Sequence, residues 1–106
     1  MVAAPALRWH LTLADTDGRL QRSELWIPPG APAGPVHAHP REEERLELLS
    51  GTMELHVGGR RRTLERGDGT VIPAGAPHVW RNAGPGVLHF MVDLEVVERF
   101  PAHQIG

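Results

Sequence analysis

Proline and glycine interrupt this chain so often that a long helix has nowhere to form. Ten prolines and twelve glycines are spread over 106 residues. Proline removes a helical donor and clashes with the preceding turn, and both residues mark turns. The runs between them alternate apolar and polar residues with period two, which sorts side chains onto the two faces of a strand. "ALRWHLTL" (6–13) and "LQRSELWI" (20–27) flank Asp17-Gly18, a hairpin signature. "ERLELLSG" (44–51) is a strand ending at glycine, and "TMELHV" (52–57), "GG" and "RRRTLE" (60–65) form a second tight hairpin. "GTVIP" (69–73) and "HVWRN" (78–82) read as short strands, and "GVLHFMVDLEVV" (86–97) as the longest. "VVERF" (96–100) is compatible with a helical turn. Many short strands joined by turns predict an all-β sandwich or small barrel. The length fits a single domain over residues 1–106 with one core.

Composition narrows the chemistry. There is no cysteine, so disulfides, thiolate ligands and thiol nucleophiles are excluded together. There is no tyrosine, and all eleven basic residues are arginine, which excludes a lysine Schiff base. What remains is His, Asp, Glu and Arg. A net charge of −2 argues against a nucleic-acid partner. Arg60-Arg61-Arg62 reads as a solvated strand face or edge. No run of eighteen apolar residues exists to span a membrane. "MVAAPALRW" does not read as a signal peptide, so a cytoplasmic location is expected.

Chemistry concentrates in "GPVHAHPREEERLELLSG" (34–51) and "VIPAGAPHVWRN" (71–82). His37 and His39 are two apart, so an extended segment presents both imidazoles on one side, whereas a helix would splay them. Pro35 and Pro40 forbid the helix. From residue 44 onward, Glu44, Leu46 and Leu48 share one face and Arg45 and Glu47 the other, so core-facing leucines carry Glu44 inward. Glu44 is five residues from His39, an odd number, so the chain must bend at Pro40-Arg41 for the two to meet. An inward carboxylate beside imidazoles is costly without a counter-charge, and a divalent cation supplies one. His and carboxylate donors suit Fe(II), Mn(II), Ni(II), Co(II), Cu(II) or Zn(II). His78 would be a fourth ligand, delivered after the "PAGAP" turn. The bland alternative is surface histidines beside a solvated acidic run.

These two stretches resemble the cupins. The first cupin motif is a glycine, His-x-His, three or four residues, Glu, six residues and Gly; His37, His39, Glu44 and Gly51 fit it. The second is Gly, five residues, Pro-x-Gly, two residues, His, three residues and Asn; Gly67, Pro73, Gly75, His78 and Asn82 fit at every spacing. Six residues separate Gly30 from His37, where the usual gap is five. The fifteen residues between motifs (52–66) resemble the compact microbial single-domain cupins. The resemblance implies a double-stranded β-helix, or jelly-roll barrel. It implies one divalent transition metal held by His37, His39, Glu44 and His78, and a homodimer for which the N-terminal hairpin is a plausible donor.

Around that set, Trp80 shares parity with His78 and is expected on the cavity wall with Leu46 and Met91. Val87, His89, Met91 and Asp93 share one face of the last strand, opposite the more apolar Leu88, Phe90, Val92 and Leu94. His89 is a candidate acid/base group alongside Glu44, or else a partly exposed structural histidine. His56 is expected to be exposed, and His10 and His103 to be surface residues without a role. Trp9 and Trp26 read as core or interface residues. The family hosts many chemistries. Three readings follow: an oxygen-using enzyme such as a dioxygenase, a non-redox isomerase, cyclase or decarboxylase, and a non-catalytic small-molecule or metal-binding module. A small organic molecule in a mostly apolar cavity is the expected substrate, and few inward arginines argue against a strongly anionic one.

Overall fold

A computed structural model of the chain describes residues 4–97. "VVERF" extends past that boundary, and His103 lies wholly outside it. The eight strands run β1 (Ala6–Leu11), β2 (Leu20–Ile27), β3 (Glu42–Ser50), β4 (Thr52–Val57), β5 (Arg60–Glu65), β6 (Gly69–Ile72), β7 (His78–Asn82) and β8 (Leu88–Val96). They form a five-stranded sheet in the order β1-β2-β8-β3-β6 and a three-stranded sheet in the order β5-β4-β7. Every pairing is antiparallel. This is the jelly roll that the turn spacing and motifs imply. Among the described residues no helix is long and apolar enough to cross a membrane.

Strand ends follow local chemistry. The first strand stops at Leu11 rather than reaching residue 13. Asp15 takes over there: its carboxylate accepts from the Thr12 amide at 2.8 Å and from the Thr12 hydroxyl at 3.0 Å. That closes a 3₁₀ turn over Leu13–Thr16. The chain then reverses through Asp17 and Gly18, with φ of 54° and 77°. The longest strand is not β8 alone; β3 matches it at nine residues, because pairing begins at Glu42.

The two inner faces make one core of Ile27, Leu46, Leu48, Met53, Leu55, Leu64, Ile72, Leu88 and Phe90, none more than 6% exposed. Each such aliphatic or aromatic side chain contributes about 1.5–3 kcal/mol by leaving water. Register sets what each face carries. Leu46 stands opposite Val92, and Leu48 opposite Phe90. Leu55 stands opposite Trp80, whose ring meets Phe90 edge-on at 5.0 Å. On the outer face of the larger sheet, Arg22 binds Asp93 in a two-pronged contact of 2.8 and 2.9 Å.

The outer face of the smaller sheet carries Glu54, whose carboxylate accepts from Arg81 Nε at 2.9 Å and contacts His56 Nε2 at 3.1 Å. These hydrogen bonds, Arg81 first, hold its carboxyl down at about 2, from an ordinary 4.5. A carboxyl depressed by folding stabilises the fold above its unfolded pKa, and loses that contribution as pH falls through the folded one. Glu54→Gln should therefore lower the melting temperature at pH 7, with the gap to wild type closing as pH drops from about 4.5 toward 2. A gap that stays constant down to pH 2 would rule the linkage out.

Candidate metal centre

The site is built by two backbone devices. His37 and His78 form an isolated antiparallel bridge: the His37 amide donates to the His78 carbonyl at 3.0 Å, and the His78 amide returns the bond at 2.8 Å. The Gly75 amide donates to the His39 carbonyl at 2.8 Å, pinning the turn before β7 against the His-x-His segment. The chain bends at Pro40 and Arg41 before β3 begins. That bend brings Glu44 and His39 together despite their odd separation.

One candidate donor atom from each of His37, His39, Glu44 and His78 falls within a shell where all four lie inside 4.8 Å of one another. Glu44 Oε1 is 3.2 Å from His39 Nε2 and 3.3 Å from His78 Nε2. Glu44 and His78 are buried, at 4% and 1% exposure, whereas His37 sits at the open rim. Polarity within the imidazoles is directed by the backbone. His37 Nδ1 lies 3.0 Å from the Pro35 carbonyl and His78 Nδ1 lies 2.9 Å from the Ala76 carbonyl. A carbonyl only accepts, so in both rings Nδ1 carries a proton, and in the neutral imidazole Nε2 is left with a lone pair.

The fit to a cation follows from this polarity. His78 Nε2 is buried and has no hydrogen-bond partner. Its lone pair faces a carboxylate oxygen, an arrangement that a cation between them relieves and that nothing among the described residues does. Three imidazoles and one carboxylate suit a divalent transition metal. The Nδ1–carbonyl bonds are the kind of outer support that fixes ring orientation around such an ion.

Asn82, the last residue of the second motif, has a structural task. Its Nδ2 donates to the Ile27 and Gly86 carbonyls at 2.9 and 2.8 Å, and its Oδ1 accepts from the Gly84 amide at 2.9 Å. It thereby ties β7 to β2 and to the turn entering β8.

One expectation about the cavity wall is corrected, and one pair of alternatives is decided. Leu46 and Trp80 face inward, but Met91 does not, and His89 takes the structural rather than the acid/base reading. Met91 pairs across from Glu47 and Glu24, and His89 across from Trp26, which places both on the outer face of the five-stranded sheet. His89 stacks on Trp26 with ring centroids 4.7 Å apart and its Nε2 bonds Glu24 Oε2. Its ring is thus on the opposite side of the sheet from Glu44. His10, expected to be idle, bonds the other oxygen of Glu24 at 2.8 Å. Together these two contacts, His10 first, lower the Glu24 carboxyl below its usual value. Period-two parity already placed His89 opposite the apolar set; finding its partner Glu24 required the β2–β8 register.

A jelly-roll barrel with a three-histidine, one-carboxylate cluster converging inside it defines a barrel protein with a candidate metal site. Residues 24–96 match the Cupin_2 cupin-domain model, more than half of the chain, and the protein belongs to that family. The chain is 43% identical over 49 residues to quercetin 2,3-dioxygenase of Bacillus subtilis (strain 168), covering 46% of this chain but only 14% of that enzyme's length. A predicted oxalate decarboxylase from Thermotoga maritima superposes with a TM-score of 0.81 at 21% identity, over 88% of this chain and 81% of that one. The Cupin_2 domain of an XRE-family transcriptional regulator from Enterobacter cloacae gives 0.75 at 22% identity, over 91% of this chain and all of that one. Identities this low establish the shared fold and no more.

Proposed function

We propose that this protein is a metal-dependent, dioxygenase-like enzyme acting on a small organic molecule, with His37, His39, Glu44 and His78 as the metal ligands. The observation that carries the metal-site reading is the buried Nε2 of His78, without a hydrogen-bond partner and 3.3 Å from Oε1 of the buried Glu44. The partial likeness to quercetin 2,3-dioxygenase supports the oxygen-using chemistry. Four protein donors leave two positions of a six-coordinate ion open, and a redox-active ion would supply the Lewis acidity and electron transfer that chemistry with oxygen requires. The chain's own residues do the rest. The Pro35 and Ala76 carbonyls orient the imidazoles, Glu44 balances the cation's charge, and the leucines and Phe90 of the inner faces keep water from the buried side.

The same reading takes residues 1–106 as one domain acting in the cytoplasm on a small-molecule substrate, with no nucleic-acid or membrane partner. It takes the assembly as a homodimer. Strand β1 lies at a sheet edge with Leu7 and Trp9 half exposed, which favours covering by a second copy.

Metal analysis of protein purified without an affinity tag, combined with an oxygen electrode, tests the reading. The expected result is a redox-active metal near one per chain and oxygen uptake that depends on an added substrate. Turnover without oxygen would replace it with the non-redox reading. A metal-loaded protein that turns over nothing would leave a binding module.

A further inference from the structure

The inner faces of three strands change character at one end of the barrel. Along β2 the inward positions run Ile27, Leu25, Ser23, Gln21; along β8, Leu88, Phe90, Val92, Leu94; along β3, Leu48, Leu46, Glu44, Glu42. The antiparallel register stacks Gln21, Leu94 and Glu44 side by side, with Glu42 one inward step further on. A recess of about 280 Å³ opens at this end, lined by Leu13, Gln21, His39, Glu42 and Leu94. It adjoins the metal cluster twice, through His39 itself and through Leu94, the cross-strand neighbour of Glu44.

The lining is selective. Leu13 and Leu94 supply apolar walls, and none of the five residues is an arginine or lysine. Among the described residues, neither the Gln21 nor the Glu42 side chain has a hydrogen-bond or ion-pair partner. An amide offers both a donor and an acceptor, and a carboxylate offers acceptors only. A ligand in the recess therefore meets a charged acceptor on one side and an adaptable amide on the other. A hydroxyl donating to Glu42 is favoured, whereas a ligand carboxylate would face another carboxylate.

We propose that Glu42 and Gln21 form the specificity end of the substrate site, which favours an uncharged hydroxyl group over a carboxylate at Glu42. This rests on the metal-site reading for the chemistry, but not for the discrimination, which originates at Glu42. Glu42 is a specificity-determining residue, and Gln21 a positioning one.

Catechol and salicylate form a matched pair of probes: each is a benzene ring with two neighbouring oxygen groups, and they differ by one carboxylate. Calorimetric titration of the Zn(II)-loaded chain should show catechol binding at least about tenfold more tightly than salicylate, the strength of one hydrogen bond to a charged acceptor. Glu42→Gln should narrow that ratio by about tenfold. Gln21→Leu should weaken both probes and leave the ratio in place. Glu43→Gln, whose residue pairs with Arg45 at 3.0 Å away from the recess, should change neither. An unchanged ratio in Glu42→Gln, tighter binding of salicylate by wild type, or no binding of either probe would overturn the proposal. Should the chain take up no Zn(II), the four-ligand reading fails, and the same titrations on metal-free protein decide this one. There the Glu42-dependent ratio is still expected, and its absence would overturn the proposal.

Discussion

His78→Ala should weaken metal binding by at least about 100-fold, because even outer-sphere supports of a metal site are worth 10- to 100-fold and His78 is assigned as a direct donor. The effect should reach stability as well. A metal present at about 1,000 times its dissociation constant stabilises the fold by about 4 kcal/mol. For a domain of this size that is a melting-temperature difference on the order of 15 °C or more. Wild-type protein should lose it on addition of a chelator, and His78→Ala should keep at most about a third of that response. Without metal the two should melt much closer together. The substitution opens a small cavity at a site only 1% exposed, but it also removes the orphaned Nε2. His56→Ala, on the outer face of the smaller sheet, should keep the full chelator response. Unchanged metal stoichiometry in His78→Ala would refute its role as ligand, and a chelator-insensitive wild type would refute the site.

The parts of this fold that depend on neighbours in sequence were legible without coordinates. Period-two parity put Glu44 with Leu46 and Leu48, and the structure buries all three. The odd gap between His39 and Glu44 demanded a bend, which occurs at Pro40 and Arg41. Positive φ at Gly51 and Gly67 follows from their places in the tight links between strands. What failed depended on register. Parity set His89 and Met91 opposite the more apolar face of β8, yet Met91 was still expected on the cavity wall; the pairing of β8 with β2 and β3 places it outside. The carboxylate that holds both His10 and His89 belongs to Glu24, fourteen and sixty-five residues away along the chain, and no local pattern links the three. Asn82 was recognised by motif spacing, while its task appeared only once β2 and the turn before β8 were seen to converge on it.

Gly51→Ala should be among the most destabilising single methyl additions this chain can suffer, and Gly67→Ala supplies its control. The two glycines have nearly the same backbone conformation, with φ of 90° and 88°. Either alanine therefore carries the penalty of holding an L-residue at positive φ, about 1–2 kcal/mol. Their surroundings differ. A Cβ on Gly67 would meet nothing within 4 Å, whereas one on Gly51 would lie 2.7 Å from the Val87 carbonyl oxygen and 2.9 Å from the Leu88 Cα. Those are backbone atoms, so no side-chain rotation relieves the overlap. Gly51 is the only residue between β3 and β4, where the chain passes from one sheet to the other, and Leu88 is fully buried where β8 begins. Moving either strand to admit a methyl disturbs a close-packed core, which raises the expected loss at Gly51 to about 3–5 kcal/mol. Urea unfolding of both variants measures the difference directly. Equal losses would mean that conformation alone requires glycine at residue 51, and would discard the close approach of β8 as its cause.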